Sequence, residues 1–203
     1  MKENYSIKDY IASPIVTKIS AEENKLREFV MDYIITNHKP YSIKNDPNEE
    51  LLKIMANKNI LSINENNEIV SIYPVSAIKT NKKVIFEDGR YGYAMCAIDA
   101  IGFHYTFKKN IKIEGNCEYC NSKIILDVKN GKINVIEGNE NIHILHTDLE
   151  KNKNWSCCCC NIMHFFDCKE SLEKWQTKNN INTKTFAVNL ETGNKIAWLL
   201  FSQ

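Results

Sequence analysis

Eight cysteines of this chain fall between positions 96 and 168, and four of them are consecutive, Cys157 to Cys160. Thiolate is a soft ligand that selects soft metals such as zinc, copper(I) and mercury. In a reducing compartment, cysteines at this density bind metal or carry out chemistry more often than they form disulfides. The cysteines therefore predict a thiolate metal site or a thiol-based active site.

A thiol and a carboxyl group, Cys96 and Asp99, stand three residues apart in the apolar segment 93–102. On a helix this spacing places both groups on one face, where they can reach one bound atom. No other charged residue occurs between Arg90 and Lys108. We therefore expect Asp99 to be partly desolvated, with a raised pKa that lets it hold and donate a proton. The plainer alternative is a small buried thiol beside an ordinary solvated carboxylate.

A second cysteine pattern is typical of structural zinc sites. Cys117-Glu-Tyr-Cys120 is a CxxC pair, and the run Cys157–Cys160 contains another. Zn²⁺ takes four thiolates in a tetrahedral site, and two CxxC pairs can supply them. Cys117, Cys120 and Cys157 could therefore hold a structural metal, although a run of four cysteines does not single out one ligand.

Net charge and hydropathy argue against several classes of partner. The chain carries 26 basic and 25 acidic residues, a net charge of +1, and so lacks the basic surface typical of nucleic-acid binding. Its N-terminus has no apolar core of signal-peptide length, and no stretch approaches the ~18 apolar residues of a membrane span. We therefore expect a cytoplasmic protein with no nucleic-acid partner and no membrane partner.

The apolar pattern predicts an α+β fold that begins with a helical unit. Ser20 and Glu23 form a capping-box signal before one helix, and Asp46-Pro47 predicts the start of another. Two short apolar runs, residues 60–63 and 68–73, are separated by turn residues and predict a hairpin. Helices followed by a hairpin make a winged-helix-like N-terminal domain.

The winged-helix-like domain is predicted to cover residues 1–80, with the polar stretch Lys79–Lys83 as a connector. Residues 81–203 are predicted to form a mixed α/β domain that holds every cysteine. Its helices are predicted around Cys96 and Asp99 and at two later positions, Lys169–Lys178 and Thr192–Ser202. Its strands are predicted at Val84–Phe86, Lys112–Glu114, Lys123–Val128, Lys132–Ile136, Ile142–His146 and Thr185–Leu190.

Two segments together resemble the organomercurial (alkylmercury) lyase family. Tyr93-Ala-Met-Cys-Ala-Ile-Asp-Ala-Ile-Gly102 looks like the first active-site motif of that family. Cys160-Asn-Ile-Met-His-Phe-Phe166, followed by Trp175, resembles the second, in which a cysteine precedes an aromatic pair, a short helix and a tryptophan. Cys117 falls where the family tends to carry a further, largely structural cysteine. The resemblance covers most of the chain and implies the family architecture, a winged-helix-like domain before a cysteine-bearing α+β domain.

The resemblance implies an enzyme that breaks carbon–mercury bonds by protonolysis and takes part in mercury resistance. Cys96 and Cys160 would be the mercury-binding thiolates, with Cys159 as an alternative to Cys160. Asp99 would contact mercury and handle the proton. The substrate would be a small organomercurial, and the products a hydrocarbon and a bound Hg(II) that soluble thiols remove. No organic cofactor is implied, and zinc stays open as a second metal.

Two other functions fit the same residues. The first is a non-catalytic thiolate protein of this fold that binds zinc or another soft metal. The second is a winged-helix regulator that senses thiols or metals, which the near-neutral charge disfavours. Asp99 separates catalysis from simple metal binding, because a pure thiolate site has no need of an apolar-flanked acid beside Cys96.

Overall fold

The fold is described by a computed structural model covering residues 13–149, 155, 159–181 and 183–202. A 3-10 helix at Ile15–Lys18 precedes the first α-helix. The α-helices are α1 (Ala21–Asn37), α2 (Glu49–Asn57), α3 (Ala97–Phe107), α4 (Lys169–Lys178) and α5 (Leu190–Phe201). No helix in these ranges is both long and apolar enough to cross a membrane.

The strands of the described residues form two antiparallel sheets. They are β1 (Tyr41–Ser42), β2 (Leu61–Ile63), β3 (Glu68–Ile72), β4 (Val75–Ser76), β5 (Lys82–Phe86), β6 (Tyr91–Ala94), β7 (Ile111–Asn116), β8 (Lys123–Lys129), β9 (Lys132–Glu137), β10 (His143–Thr147), β11 (Phe165–Phe166) and β12 (Thr185–Asn189). The larger sheet has the order β1-β3-β4-β6-β5-β7-β8-β9, with β2 beside β3. The smaller sheet has the order β11-β10-β12. The result is a mixed α/β fold.

Helix α1 begins as the capping box predicts. The Ser20 side chain accepts a hydrogen bond from the Glu23 N–H, and the Glu23 carboxylate accepts one from the Ser20 N–H. The buried face of α1 carries Arg27, which is 1% exposed. Its guanidinium donates to the carbonyl of Tyr73 through Nε at 2.9 Å and Nη2 at 2.7 Å. This contact fixes the backbone at the end of the β2–β3 hairpin.

Helix α2 starts at Glu49, with Asn48 as its N-cap, so the predicted start at Asp46-Pro47 is wrong. The Asp46 side chain accepts a hydrogen bond from the Asn48 N–H at 2.7 Å. The Asp46 carbonyl also accepts one from the Glu49 N–H at 3.0 Å. Asp46 therefore closes a turn before the helix, a common use of aspartate outside helices.

Two local predictions around Cys96 need correction. The segment 93–102 is only partly helical, because residues 93 and 94 belong to β6, which pairs with β4 on one side and β5 on the other. Cys96 is the N-cap of α3, outside the helix itself. The predicted connector ends early as well, because Lys82 and Lys83 are the first residues of β5. Strand β6 thus leads the chain into the first turn of α3.

Helix α3 is buried along most of its length and packs closely against α5. A Cβ atom built on Gly102 would lie 2.4 Å from Cδ2 of Phe201. On the facing helix, a Cβ built on Gly193 would lie 2.6 Å from Cδ1 of Ile144. The two glycines therefore let α3 and α5 approach their neighbours more closely than any other residue would allow.

We expect Gly102→Ala to lower stability by about 1–3 kcal/mol, the usual cost of overpacking a core. Without the Phe201 ring the same change would stabilise a helix by about 0.5–1 kcal/mol. A loss of stability would therefore indicate the close contact between Gly102 and Phe201. Gly193→Ala is the matched control and should cost less, because Ile144 Cδ1 is the end of a flexible side chain. Thermal unfolding measures both, and a Gly102→Ala variant that melts higher than the parent would contradict the packing.

Candidate active site

Cys96 and Asp99 meet at the N-terminus of α3. The Cys96 Sγ accepts a hydrogen bond from the Asp99 N–H at 3.3 Å, and the Cys96 carbonyl accepts one from the Ala100 N–H at 3.0 Å. The first N–H groups of a helix lack partners within the helix and carry partial positive charge. A sulfur in the N-cap position is therefore well placed to carry negative charge.

Cys160 reaches the same point from a distant part of the chain. Its N–H donates to the Trp155 carbonyl at 2.9 Å. The Met163 carbonyl, three residues later, accepts a hydrogen bond from the Ala97 N–H at 2.9 Å. The Cys160 thiol then donates to Asp99 Oδ2 at 3.7 Å.

The structure brings Cys96, Asp99 and Cys160 together in a buried cluster. Their ligand atoms all lie within 4.8 Å of one another, and the residues are 1%, 3% and 6% exposed. Two sulfurs and one carboxyl oxygen at these separations can surround a single soft metal atom. Cys159 lines the same cavity but is not among the three whose ligand atoms converge.

Burial changes the acidity of all three groups. Burial raises the pKa of Asp99 to about 7, although hydrogen bonds from Cys96 and Cys160 oppose the rise. Burial also raises the pKa of Cys96 well above its ordinary value. A hydrogen bond with the Cys96 thiol lowers the pKa of Cys160. Burial and the Asp99 carboxyl together raise it by more, so the net change is upward. Near neutral pH the cluster holds two thiols and a carboxyl group poised between its two forms.

A buried lysine that sequence reasoning assigned to a connector faces this cluster. Lys82 is 4% exposed, and burial lowers its pKa, while the charges of Cys96 and Asp99 oppose the change. Its Nζ lies 3.2 Å from His164 Nδ1, and His164 Nε2 lies 2.8 Å from the Asn161 carbonyl. Because Nε2 must donate to that carbonyl, Nδ1 accepts from Lys82. Burial and then Lys82 lower the pKa of His164 to about 4, so His164 is neutral at pH 7.

Aromatic and aliphatic side chains close the cluster off from water. The Tyr73 hydroxyl lies 3.8 Å from Cys160 Sγ, and its ring meets Trp155 edge to face with centroids 5.8 Å apart. The cavity between the cluster and these rings is about 20 Å³, room for about one water molecule. Its other walls are Ile98, Leu149, Met163, Leu200 and Phe201. Nothing local in the sequence marks Tyr73 or Lys82 as part of this site.

The other predicted metal ligands lie in a separate cluster. Cys117 and Cys120 face Asp167, and the ligand atoms of these three residues are within 4.8 Å of one another. Cys157, the third residue predicted for this site, lies outside the described residues. Asp167 was not predicted, although it directly follows the aromatic pair of the second motif.

The raised pKa of Asp99 predicts how stability responds to pH. Between pH 3.8 and about 7 the folded chain keeps a proton on Asp99 that the unfolded chain has lost. Through this group, stability therefore falls as pH rises across that window. Asp99→Asn removes this titrating group. The free energy of unfolding of the variant, relative to that of the parent, should therefore rise from pH 4 to pH 7 and stay at that higher level above pH 7. The rise should be about 1.4 kcal/mol for each unit by which the pKa is raised. Thermal unfolding of both chains over this range measures the difference.

Asp127→Asn is the matched control. Asp127 is also buried, and although burial raises its pKa, hydrogen bonds from Lys129 and Asn134 prevail and lower it. This variant should therefore lose stability at neutral pH, and the loss should shrink as the pH falls below the ordinary range of a carboxyl group. A stability difference between Asp99→Asn and the parent that stays constant with pH would contradict the raised pKa.

Comparisons with known proteins identify a family and a shared fold. A search of curated proteins by sequence finds no match. Among solved structures, the crystal structure of the mercury-bound form of MerB2 matches with a TM-score of 0.72 and 18% identity, over 91% of this chain and 92% of that chain. At that identity the likeness shows a shared fold. The family model of alkylmercury lyases (MerB) matches residues 75–202, more than half of the sequence. The chain therefore belongs to the alkylmercury lyase family.

Proposed function

We propose that this protein is an organomercurial lyase that cleaves carbon–mercury bonds by protonolysis, with Cys96, Cys160 and Asp99 as its catalytic residues. Membership of the alkylmercury lyase family supports the reaction. One observation carries the residue roles: a buried carboxyl group with a pKa of about 7 lies between two thiols that can share one soft atom. A site for metal binding alone would favour an ionised carboxylate over a carboxyl group whose pKa is raised to about 7.

The reaction begins with capture of the organomercurial cation by a thiol. Mercury binds sulfur strongly because both are soft. As a thiol sulfur bonds to mercury it releases its proton, and the ionised form of Asp99 is within hydrogen-bond reach to accept it. The second sulfur then bonds to mercury, so that Cys96 and Cys160 both hold the metal and the second thiol proton leaves to solvent.

Cleavage follows when Asp99 returns its proton to carbon. The electron pair of the carbon–mercury bond takes that proton, so a hydrocarbon leaves and Hg(II) stays bound to the two sulfurs. In total, one organomercurial cation and two thiols give one hydrocarbon, one dithiolate-bound Hg(II) and one released proton. A general acid works best when its pKa lies near the working pH, and burial brings Asp99 to that range.

Lys82 supports the anionic stages of this cycle. Its ammonium group favours charge on Cys96 and Asp99, and its hydrogen bonds to Asn81 at 2.6 Å and to His164 hold it in place. The enclosed cavity keeps water from competing for the proton. The reaction requires no organic cofactor, and small soluble thiols remove the Hg(II) product by exchange, which suits a cytoplasmic protein.

The first 80 residues belong to this proposal as a winged-helix-like domain, with residues 81–203 as the catalytic domain. The order helix, strand, helix and hairpin from α1 to β3 supports the first assignment. Through Arg27 and Tyr73 this region supplies one wall of the cavity. Its function is therefore to complete the active site, and we assign it no nucleic-acid partner.

Two substitutions separate capture from cleavage. Cys96→Ser should abolish both, because a hydroxyl is too hard and too weakly acidic to replace a thiolate. Asp99→Asn should still bind the organomercurial but lose about 10²–10⁴-fold in turnover, since an amide cannot relay the proton. Incubation with an organomercurial and excess thiol, followed by assay of released hydrocarbon and Hg(II), measures turnover.

Cys168→Ser is the control for this experiment, because it removes a thiol outside the cluster and should turn over like the parent. If Asp99→Asn also turns over like the parent, the proton comes from another group and the role of Asp99 is wrong. If the parent binds the organomercurial but releases no hydrocarbon, the protein is a metal-binding member of the family and the lyase proposal fails.

A further inference from the structure

The CxxC segment after β7 folds into a tight turn that presents both of its thiols on one side. The Cys117 N–H donates to the Ser122 carbonyl at 2.8 Å, and the Asn121 N–H donates to the Cys117 carbonyl at 2.9 Å. Asn121 has a φ of 61°, a left-handed conformation that asparagine tolerates well. The Asn116 side chain donates to the Asn121 carbonyl at 3.0 Å and braces the turn.

Asp167 faces both thiols of this turn from another part of the chain. Its Oδ1 lies 3.4 Å from Cys117 Sγ, and its Oδ2 lies 3.3 Å from Cys120 Sγ. The carboxylate thus bridges two sulfurs that belong to a single CxxC pair. A backbone hydrogen bond of 3.0 Å from the Glu118 N–H to the Phe165 carbonyl joins the turn to β11, which ends one residue before Asp167. The arrangement is therefore held by backbone contacts from both sides.

The chemistry of these ligands suits a divalent ion of the zinc class. Zinc binds cysteine sulfur and carboxylate oxygen, and three protein ligands leave a fourth position for water or another ligand. Cys120 is exposed, which provides an entry path for the ion, and its Sγ lies 3.2 Å from the Ser122 hydroxyl.

We propose that Cys117, Cys120 and Asp167 form a second metal site, which binds one zinc ion independently of the active-site cluster. The ion joins the turn after β7 to the junction between β11 and α4. Because the same stretch of chain carries Cys160 a few residues earlier, a metal bound here fastens the segment that delivers the second active-site thiol. The role of this site is structural, and its occupancy does not require lyase chemistry.

The test measures zinc binding with the active-site thiols removed. Two variants are titrated with zinc alone, using competition with a chromophoric chelator. The first is the double variant Cys96→Ser/Cys160→Ser, and the second is a triple variant that also carries Cys120→Ser. We expect the first to bind one more equivalent than the second, because affinity at this site should fall by at least about 10–100-fold, the loss that even an outer-shell change produces. Cobalt(II) in place of zinc should give sulfur-to-metal charge-transfer absorption in the first chain that weakens in the second.

Two further variants sharpen the result. Asp167→Asn should weaken binding like Cys120→Ser. Cys168→Ser should weaken it less than either, because Cys168 hydrogen-bonds to Asp167 but lies outside the three-ligand cluster. Zinc binding is also compared between the parent and the single variant Cys120→Ser, which leaves the buried Cys96 and Cys160 unchanged. Zinc should also raise the melting temperature of each chain that retains the site.

Equal zinc stoichiometry with and without Cys120 would overturn the proposal, as would an equal loss from Cys168→Ser and Cys120→Ser. Neither result bears on carbon–mercury cleavage, which is assayed separately by hydrocarbon release. If the parent binds no zinc at this site and still cleaves organomercurials, the second-site proposal is wrong and the proposed function is unaffected.

Discussion

The molecule must hold an ionisable carboxyl group away from water and between two thiols. Burial alone would keep Asp99 protonated, and its pKa is raised to about 7. Three nearby features limit that rise: the hydrogen bonds from Cys96 and Cys160, the partial positive charge at the start of α3, and the ammonium group of Lys82. The balance leaves a group that can both accept and release a proton near neutral pH.

The rest of the fold holds this cluster in place from three directions. Strand β6 leads into the N-cap position of Cys96, and close packing of α3 on α5 through Gly102 fixes the helix that carries Asp99. The hydrogen bond from Ala97 to Met163 ties the turn bearing Cys160 to that same helix. From the N-terminal region, Arg27 holds the Tyr73 backbone. Precise placement of this kind is what proton transfer between fixed groups requires.

The two thiol clusters of this chain use similar residues in different surroundings. Both combine two cysteines with one aspartate whose oxygens lie close to the sulfurs. The active-site cluster is buried in an apolar cavity, so its carboxyl group gains a raised pKa. Around Asp167, by contrast, burial raises the pKa but hydrogen bonds from Ser171 and the nearby cysteines prevail and lower it. Environment therefore decides whether the carboxyl group of such a cluster has a raised or a lowered pKa.

Local sequence determined much of this protein by itself. Interactions between residues close in sequence account for the capping box at Ser20, the hairpin after α2 and the strands of the second half. Side chains repeat along a strand about every two residues and along a helix about every 3.6 residues, so these elements can be detected in the sequence. Helix α4 has the predicted bounds, Lys169–Lys178. The lone acid in an apolar segment also predicted a buried carboxyl group, and the 3% exposure of Asp99 confirms it.

Tertiary structure alone decided which distant groups meet. Cys160 and not Cys159 joins the three-ligand cluster, and its thiol donates to Asp99 Oδ2 across 61 positions of the chain. Arg27 holds Tyr73, and pairing of β5 with β7 places Lys82. Contacts between residues so far apart in the chain leave no local period to detect. Helix α2 starts at Glu49 because a turn competes for the Asp46 side chain. Spacing along the chain thus specified the chemical groups, and long-range packing specified their partners and their acidity.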